Sequence, residues 1–167
     1  MFTAPQVRAF LDLTDRLGIR VWLDGGWAVD AHLGRQSRDH GDIDIVLETA
    51  AEPTLRAALE AAGFADVHTD DRRPCNFVME HADGRRIDFH LIDFDEDGNG
   101  LYDNLGPAFP AIAFTGIGSI EGRSVRCIEV STLIDFHTGY AHDADDAADV
   151  KALCAKFGLL VPQQYRR

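Results

Sequence analysis

Seven residues, Gly41-Asp42-Ile43-Asp44-Ile45-Val46-Leu47, read as a strand from their β-branched and apolar run. Side chains alternate along a strand, so Asp42 and Asp44 share one face, roughly 7 Å apart, while Ile43 and Ile45 share the other. Two like charges on one face of a core strand repel, so that face is either wet or holds a cation. A second strand, Arg86-Ile87-Asp88-Phe89-His90-Leu91-Ile92, alternates in the same way and puts Asp88 and His90 on one face. Adjacent strands lie about 4.8 Å apart. If these two neighbour each other, Asp42, Asp44 and Asp88 meet, and their charge demands a counter-ion. Hard oxygen ligands suit Mg²⁺, which usually brings water and substrate phosphates with it.

Upstream, Gly25-Gly26 follows a strand and opens a helix. Glycines there let a phosphate approach the backbone, and helix N-terminal N–H groups favour an anion. Arg35, Arg38 and His40, between that helix and the aspartate strand, could neutralise phosphate oxygens. Taken singly, each piece has a plain structural reading. A glycine pair can be a tight turn, an Asp-x-Asp can be solvated, and Asp88 can pair with Arg86 or Arg38. Their combination in this order points to metal-assisted phosphate chemistry.

The elements that position these residues are legible in outline. Val7, Phe10, Leu11, Leu13 and Leu17 recur at helical spacing behind a Thr3–Gln6 capping box, and Gly18 ends that helix. Strands are expected over 20–23, 41–47, 64–69, 76–81 and 85–94. Asp83-Gly84 joins the last two as a tight hairpin. Helices are expected over 27–33 and from a Thr49–Glu52 capping box to Gly63. The polar segment 95–109 reads as a loop. Residues 111–117 and 123–128 read as a further hairpin, Ser131 as the cap of a helix over 132–140, and 144–157 as the last helix. The fold class is therefore α/β (α+β), a mixed β-sheet flanked by helices, in one domain over 1–167 with C-terminal helices at about 131–158.

The bulk numbers bound the function. The 167 residues are 46% hydrophobic, enough for one domain with a core. A formal net charge of −12 argues against nucleic acid and anionic membranes as partners and suits a cationic small molecule, although part of it simply serves solubility. Cys75, Cys127 and Cys154 are scattered, with no zinc-like spacing, and imply a reducing compartment. No signal-peptide pattern or apolar run long enough to span a membrane is present, so a cytoplasmic location is expected. The run Asp93-Phe94-Asp95-Glu96-Asp97-Gly98 imitates the start of an EF-hand loop, but the twelfth position is Asn104 and a strand precedes it, so an acidic loop is the better reading. Trp22 suits the core, and Trp27 either the core or the nucleotide. His90 could orient Asp88, touch substrate or simply be a bonded sheet histidine. Lys151 could reach phosphates or pair along its helix, and His137 and Tyr140 could line the base or acceptor pocket. There is no GxSxG and no Walker A sequence.

The stretch Asp24-Gly25-Gly26-Trp27-Ala28-Val29-Asp30, followed by Gly34-Arg35, Arg38, His40 and Asp42-Ile43-Asp44-Ile45, resembles the antibiotic nucleotidyltransferases. The resemblance is strongest to the small lincosamide enzymes, then to the aminoglycoside 2″-adenylyltransferases. It extends through Arg86–His90 and Phe136–Tyr140 to Asp149-Val150-Lys151. It implies a polymerase-β-like nucleotidyltransferase fold, Mg²⁺, and a nucleoside triphosphate, with ATP expected. The expected reaction is transfer of a nucleoside monophosphate to a hydroxyl of a small antibiotic, with pyrophosphate release. A lincosamide is the first choice of acceptor and an aminoglycoside the second. Under this resemblance Asp42 and Asp44 ligate the metal, and Asp88 acts as base or ligates a second metal. Gly25, Gly26, Arg35, Arg38, His40 and Lys151 face the nucleotide, and His90 and Tyr140 the substrate. A protein- or tRNA-modifying enzyme and a non-catalytic nucleotide-binding module are the alternatives, the charge disfavouring tRNA. A homodimer with a shared acceptor site is compatible with the sequence.

Overall fold

The computed structural model describes residues 1–70, 72–102, 106–139 and 143–166. Helix α1 (Ala4–Arg16) leads into β1 (Val21–Asp24), α2 (Gly25–Leu33) and β2 (Asp42–Glu48). After a 3-10 turn at Thr49–Ala51 come α3 (Glu52–Ala61), β3 (Phe64–Val67), β4 (Asn76–His81) and β5 (Arg86–Phe94). Two short strands follow, β6 (Gly100–Leu101) and β7 (Pro107–Phe109). The chain continues through a 3-10 segment at Ala111–Thr115, the hairpin β8 (Ile117–Ile120) and β9 (Arg123–Arg126), and helices α4 (Val130–His137) and α5 (Ala144–Phe157).

The main sheet runs β1-β2-β5-β4-β3, with β6 and β7 extending from β5. Within this sheet, among the described residues, β2 and β5 pair in parallel and the other strand pairings are antiparallel. That parallel pair requires a crossover, which α3, β3 and β4 supply. Alternation then sorts the faces. Ile43 and Ile45 on β2, and Ile87 and Phe89 on β5, are fully buried. Helices α1 and α3 lie over this face, since Phe10, Leu13, Leu59 and Ile87 line one groove. The opposite face stays polar only at the start of the pair: β2 has alternating burial from Asp42 to Ile45 and unbroken burial from Ile45 to Leu47. No helix among the described residues is long and apolar enough to cross a membrane.

Four local expectations change. Segment 95–109 is not wholly loop, because the acidic run folds on itself. Asp95 Oδ1 accepts the N–H groups of Asp97 at 3.0 Å and Asn99 at 2.8 Å, which reverses the chain and lets Gly100–Leu101 pair with β5. Helix α2 starts at Gly25, two residues earlier than its apolar pattern suggests, because the Asp24 carboxylate caps it by accepting Gly25 N–H at 2.8 Å. Behind Pro110, Ala111–Thr115 coils into a 3-10 segment, and the strand begins only at Ile117. The cap of α4 is Glu129, whose Oε2 accepts N–H from Ser131 and Thr132 at 2.9 and 3.0 Å, so Ser131 lies inside the helix.

Candidate active site

The sheet register builds the site. Asp24 on β1 stands opposite Asp44 on β2, and Asp44 stands opposite Asp88 on β5. Three carboxylates therefore form a row across three adjacent strands. Asp42 lies two residues before Asp44 on the same face, opposite Arg86. His90 lies two residues beyond Asp88, opposite Asn76 of β4. One ligand atom from each of Asp44, Asp88 and His90 falls within 4.8 Å of the others.

The carboxylates of this cluster, Asp24, Asp42, Asp44 and Asp88, outnumber the positive groups beside them, His90 and Arg86. Burial, then repulsion from Asp44, holds the Asp42 carboxyl above its ordinary range. Burial also raises Asp24, with Asp44 adding to the effect while His90 and the Gly25 N–H oppose it. His90 answers in the other direction: burial disfavours its charge, yet the Asp44 bond and the charges of Asp24 and Asp88 push its pKa up to about 9. A divalent cation relieves the same imbalance. The donor set fits one, and so does the surrounding backbone. Gly25, at φ +54°, leans so close to Asp44 that an added Cβ would sit 2.2 Å from Oδ2. The glycine thus clears the space the carboxylate occupies.

Gly26 makes a second close approach. A Cβ there would lie 2.3 Å from Nδ1 of His40. The His40 ring packs against Trp27 at 4.8 Å between centroids, and its Nε2 meets Asp30 Oδ2 at 2.5 Å. Asp30 is fully buried on α2 and also accepts the Ser37 N–H at 2.8 Å and the Ser37 hydroxyl. His40 is therefore part of the brace that holds the 35–41 segment against α2. Trp27 is wholly buried, and Trp22 donates its indole N–H to Phe114 O at 3.0 Å.

Arg38 reaches α5. Its Nη2 and Nε bond Asp149 Oδ2 at 2.8 and 3.2 Å. Partial burial works against the guanidinium charge, but the bond to Asp149 raises its pKa on balance. Arg35 is exposed at the start of the same segment, and Lys151 is exposed on α5. Tyr140 lies outside the described residues. Because Asp149 is buried, Arg38→Ala would leave a carboxylate without this cation. We expect a loss of about 2 kcal/mol, below the value for a fully buried pair because Arg38 is partly exposed. A thermal melt should fall by about 4–8 °C, and the Arg38→Ala/Asp149→Ala double variant should recover much of it. An unchanged melting temperature would show that the guanidinium holds nothing in the fold.

Several residues to which the sequence assigned no role join the site. Asp24 reads as part of a break yet completes the row. Asn76 Nδ2 bonds Asp88 Oδ1 at 3.2 Å and Phe89 O at 3.3 Å, and stands 3.1 Å from His90 Nδ1. Tyr102, just past β6, brings its hydroxyl to 2.5 Å from that same Nδ1. Both come from segments with no motif, and only the antiparallel pairing of β4 and the arm beyond β5 deliver them.

In-register acidic strands beside a glycine-opened helix are the arrangement that the resemblance to nucleotidyltransferases implies. The comparisons with known proteins agree. Residues 6–153 match the family described as aminoglycoside-2″-adenylyltransferase. A lincosamide resistance protein of Staphylococcus haemolyticus is 30% identical over 156 residues, spanning 90% of this chain and 94% of that one. A 2″-aminoglycoside nucleotidyltransferase of Escherichia coli is 37% identical over 137 residues, 82% of this chain and 73% of its own. Among solved structures, the lincomycin-bound lincosamide adenylyltransferase LnuA superposes with a TM-score of 0.79 at 27% identity, covering 90% of this chain and 96% of its own. The chain belongs to the aminoglycoside-2″-adenylyltransferase family, and it is an enzyme of the nucleotidyltransferase class.

Proposed function

We propose that the protein transfers AMP from ATP to a hydroxyl of a small antibiotic, a lincosamide by preference, and releases pyrophosphate. The observation that carries this reading is the row joining Asp44 to Asp88 beside the Gly25–Gly26 start of α2. The lincosamide preference rests on extent: this chain spans 94% of the lincosamide resistance relative but 73% of the aminoglycoside one. An aminoglycoside acceptor is the second reading, favoured by the higher identity of 37%. Both acceptors carry an amine, which suits the net charge of −12. The same charge disfavours nucleic acid as the acceptor.

Asp42 and Asp44 hold Mg²⁺ in this reading, and Asp88 faces the acceptor. Bound Mg²⁺ supplies charge stabilisation at the α-phosphate and at the departing oxygen. The N–H groups opening α2 receive the triphosphate, with Arg35, Arg38 and Lys151 on the phosphate side. Asp88 takes the acceptor hydroxyl proton as that oxygen attacks the α-phosphorus and the bond to the β-phosphate oxygen breaks. His90 and Tyr140 stand on the acceptor side. Residues 1–167 act as one cytoplasmic catalytic domain, and a homodimer would place acceptor contacts from both copies at one site.

The test is direct. Incubation with Mg²⁺, each nucleoside triphosphate, and lincomycin, clindamycin, kanamycin or gentamicin should yield pyrophosphate and a product heavier by one nucleotidyl group. We expect lincomycin with ATP to give the highest kcat/KM. No nucleotidylated product with any of the four would sink the antibiotic reading.

A further inference from the structure

We propose that His90 joins Asp44 and Asp88 as a nitrogen ligand, forming a site for a divalent ion of the Mn²⁺, Co²⁺ or Zn²⁺ class beside the all-oxygen position at Asp42 and Asp44. The inference borrows from the proposed function only the presence of divalent cations at this end of the sheet. Its geometry is independent of any nucleotide.

Three observations carry it. The ligand atoms within 4.8 Å of one another belong to Asp44, Asp88 and His90; Asp42 is not in that set. The His90 ring is turned so that Nε2 faces the carboxylates, 3.9 Å from Asp44 Oδ1, while Nδ1 faces away toward Tyr102 Oη at 2.5 Å. Asn76 Nδ2 lies 3.1 Å from His90 Nδ1, 3.2 Å from Asp88 Oδ1 and 3.3 Å from Phe89 O, and we assign its two amide hydrogens to the two oxygens. Tyr102 is then left to accept the Nδ1 hydrogen. A histidine that donates one ring N–H to an oxygen presents the other nitrogen's lone pair, and that is how metal-binding imidazoles are held. Here Nε2 faces Asp44 and Asp88, which stand side by side in the sheet, and a divalent ion would take the place of the proton that Nε2 shares with Asp44 in the metal-free protein.

The donor types decide which ion fits. Mg²⁺ takes oxygen ligands in near-ideal octahedral geometry and keeps several waters. Imidazole nitrogen suits first-row transition ions, and two carboxylates with one imidazole leave room for solvent or a phosphate oxygen. Asp44 then belongs to both positions, as a bridging carboxylate does in two-metal sites.

The test uses the full chain without nucleotide or acceptor. Pulsed electron paramagnetic resonance of Mn²⁺ bound to the wild-type protein should show coupling to an imidazole ¹⁴N. His90→Gln should lose that coupling and bind Mn²⁺ at least about 10-fold more weakly, while Mg²⁺ affinity by calorimetry changes less than about twofold, since Mg²⁺ favours oxygen ligands. Tyr102→Phe should keep the ¹⁴N coupling but weaken Mn²⁺, because Nδ1 loses its acceptor. Circular dichroism confirms that each variant is folded, and Tyr102→Phe carries the test if His90→Gln is not. Absence of ¹⁴N coupling in the wild-type protein, or its persistence in His90→Gln, overturns the proposal. So does an equal loss of Mg²⁺ and Mn²⁺. A protein that passes this test but modifies no antibiotic would retain this site and lose only the proposed function.

Discussion

Asp88→Asn should lower kcat by about 10³-fold or more, leaving the affinity for ATP within a few-fold of wild type. General-base removal alone is worth about 10²–10⁴-fold, and Asp88 also lies within reach of the metal cluster. The substitution is nearly isosteric, but its orientation is not free. Asn76 Nδ2 stands 3.2 Å from Asp88 Oδ1. A new amide at position 88 turns its oxygen toward that donor and its NH₂ toward Asp44. A proton acceptor facing the reaction is thereby replaced by a donor. Triphosphate binding should survive, because Asp42, Asp44 and the opening turn of α2 are untouched. The melting temperature should hold or rise, since a like charge leaves the row Asp24–Asp44–Asp88. Steady-state kinetics, calorimetry with ATP and a thermal melt separate these effects. A variant within about tenfold of wild-type kcat would remove Asp88 from the chemistry.

What the sequence revealed here follows from the range of each interaction. The alternation in 41–47 and 85–94 identified which carboxylates share a face, because the two-residue period is a property of the strand itself. The Asp83-Gly84 turn was equally local, and Gly84 takes φ +85° as a tight hairpin requires. The register was not local. Nothing in either strand states that Asp44 lies opposite Asp88 and not a residue to one side; that is fixed when Ile43, Ile45, Ile87 and Phe89 bury together beneath α1 and α3. Asp24, Asn76 and Tyr102 were illegible for the same reason, since each acquires its role from a neighbour on another strand. Arg38 and His40 were legible as charge near a phosphate site. Their partners, Asp149 and Asp30, could not be read, because a helix more than a hundred residues away and a buried face of α2 supply them. Strands β6 and β7 were hidden by length, being too short to show a period, and the turn that creates them depends on the Asp95 side chain.

Gly25→Ala should reduce kcat/KM by about 100-fold while costing about 1–2 kcal/mol of stability. Two penalties act at this position, and they can be separated. The first is conformational: φ of +54° lies in the left-handed region, where a Cβ costs about 1–2 kcal/mol. The second is contact: the added methyl would sit 2.2 Å from Asp44 Oδ2 and 2.9 Å from its Cγ. A carboxylate is the mobile end of a short side chain, so it can swing away without disturbing the core, and the fold survives. The swing moves a metal ligand by an ångström or more, and misplacement on that scale costs about 10²-fold in rate. Gly158→Ala supplies the control. Gly158 has φ +68° at the end of α5, with nothing within 4 Å of the position its Cβ would take. It bears the conformational penalty alone. Both variants should therefore lose a similar few degrees in a thermal melt, roughly 2–4 °C per kcal/mol for a chain of this size. Only Gly25→Ala should lose metal affinity and turnover. Equal activity in the two variants would mean that Asp44 tolerates the displacement, and the close approach of α2 to β2 would then have no part in holding the metal.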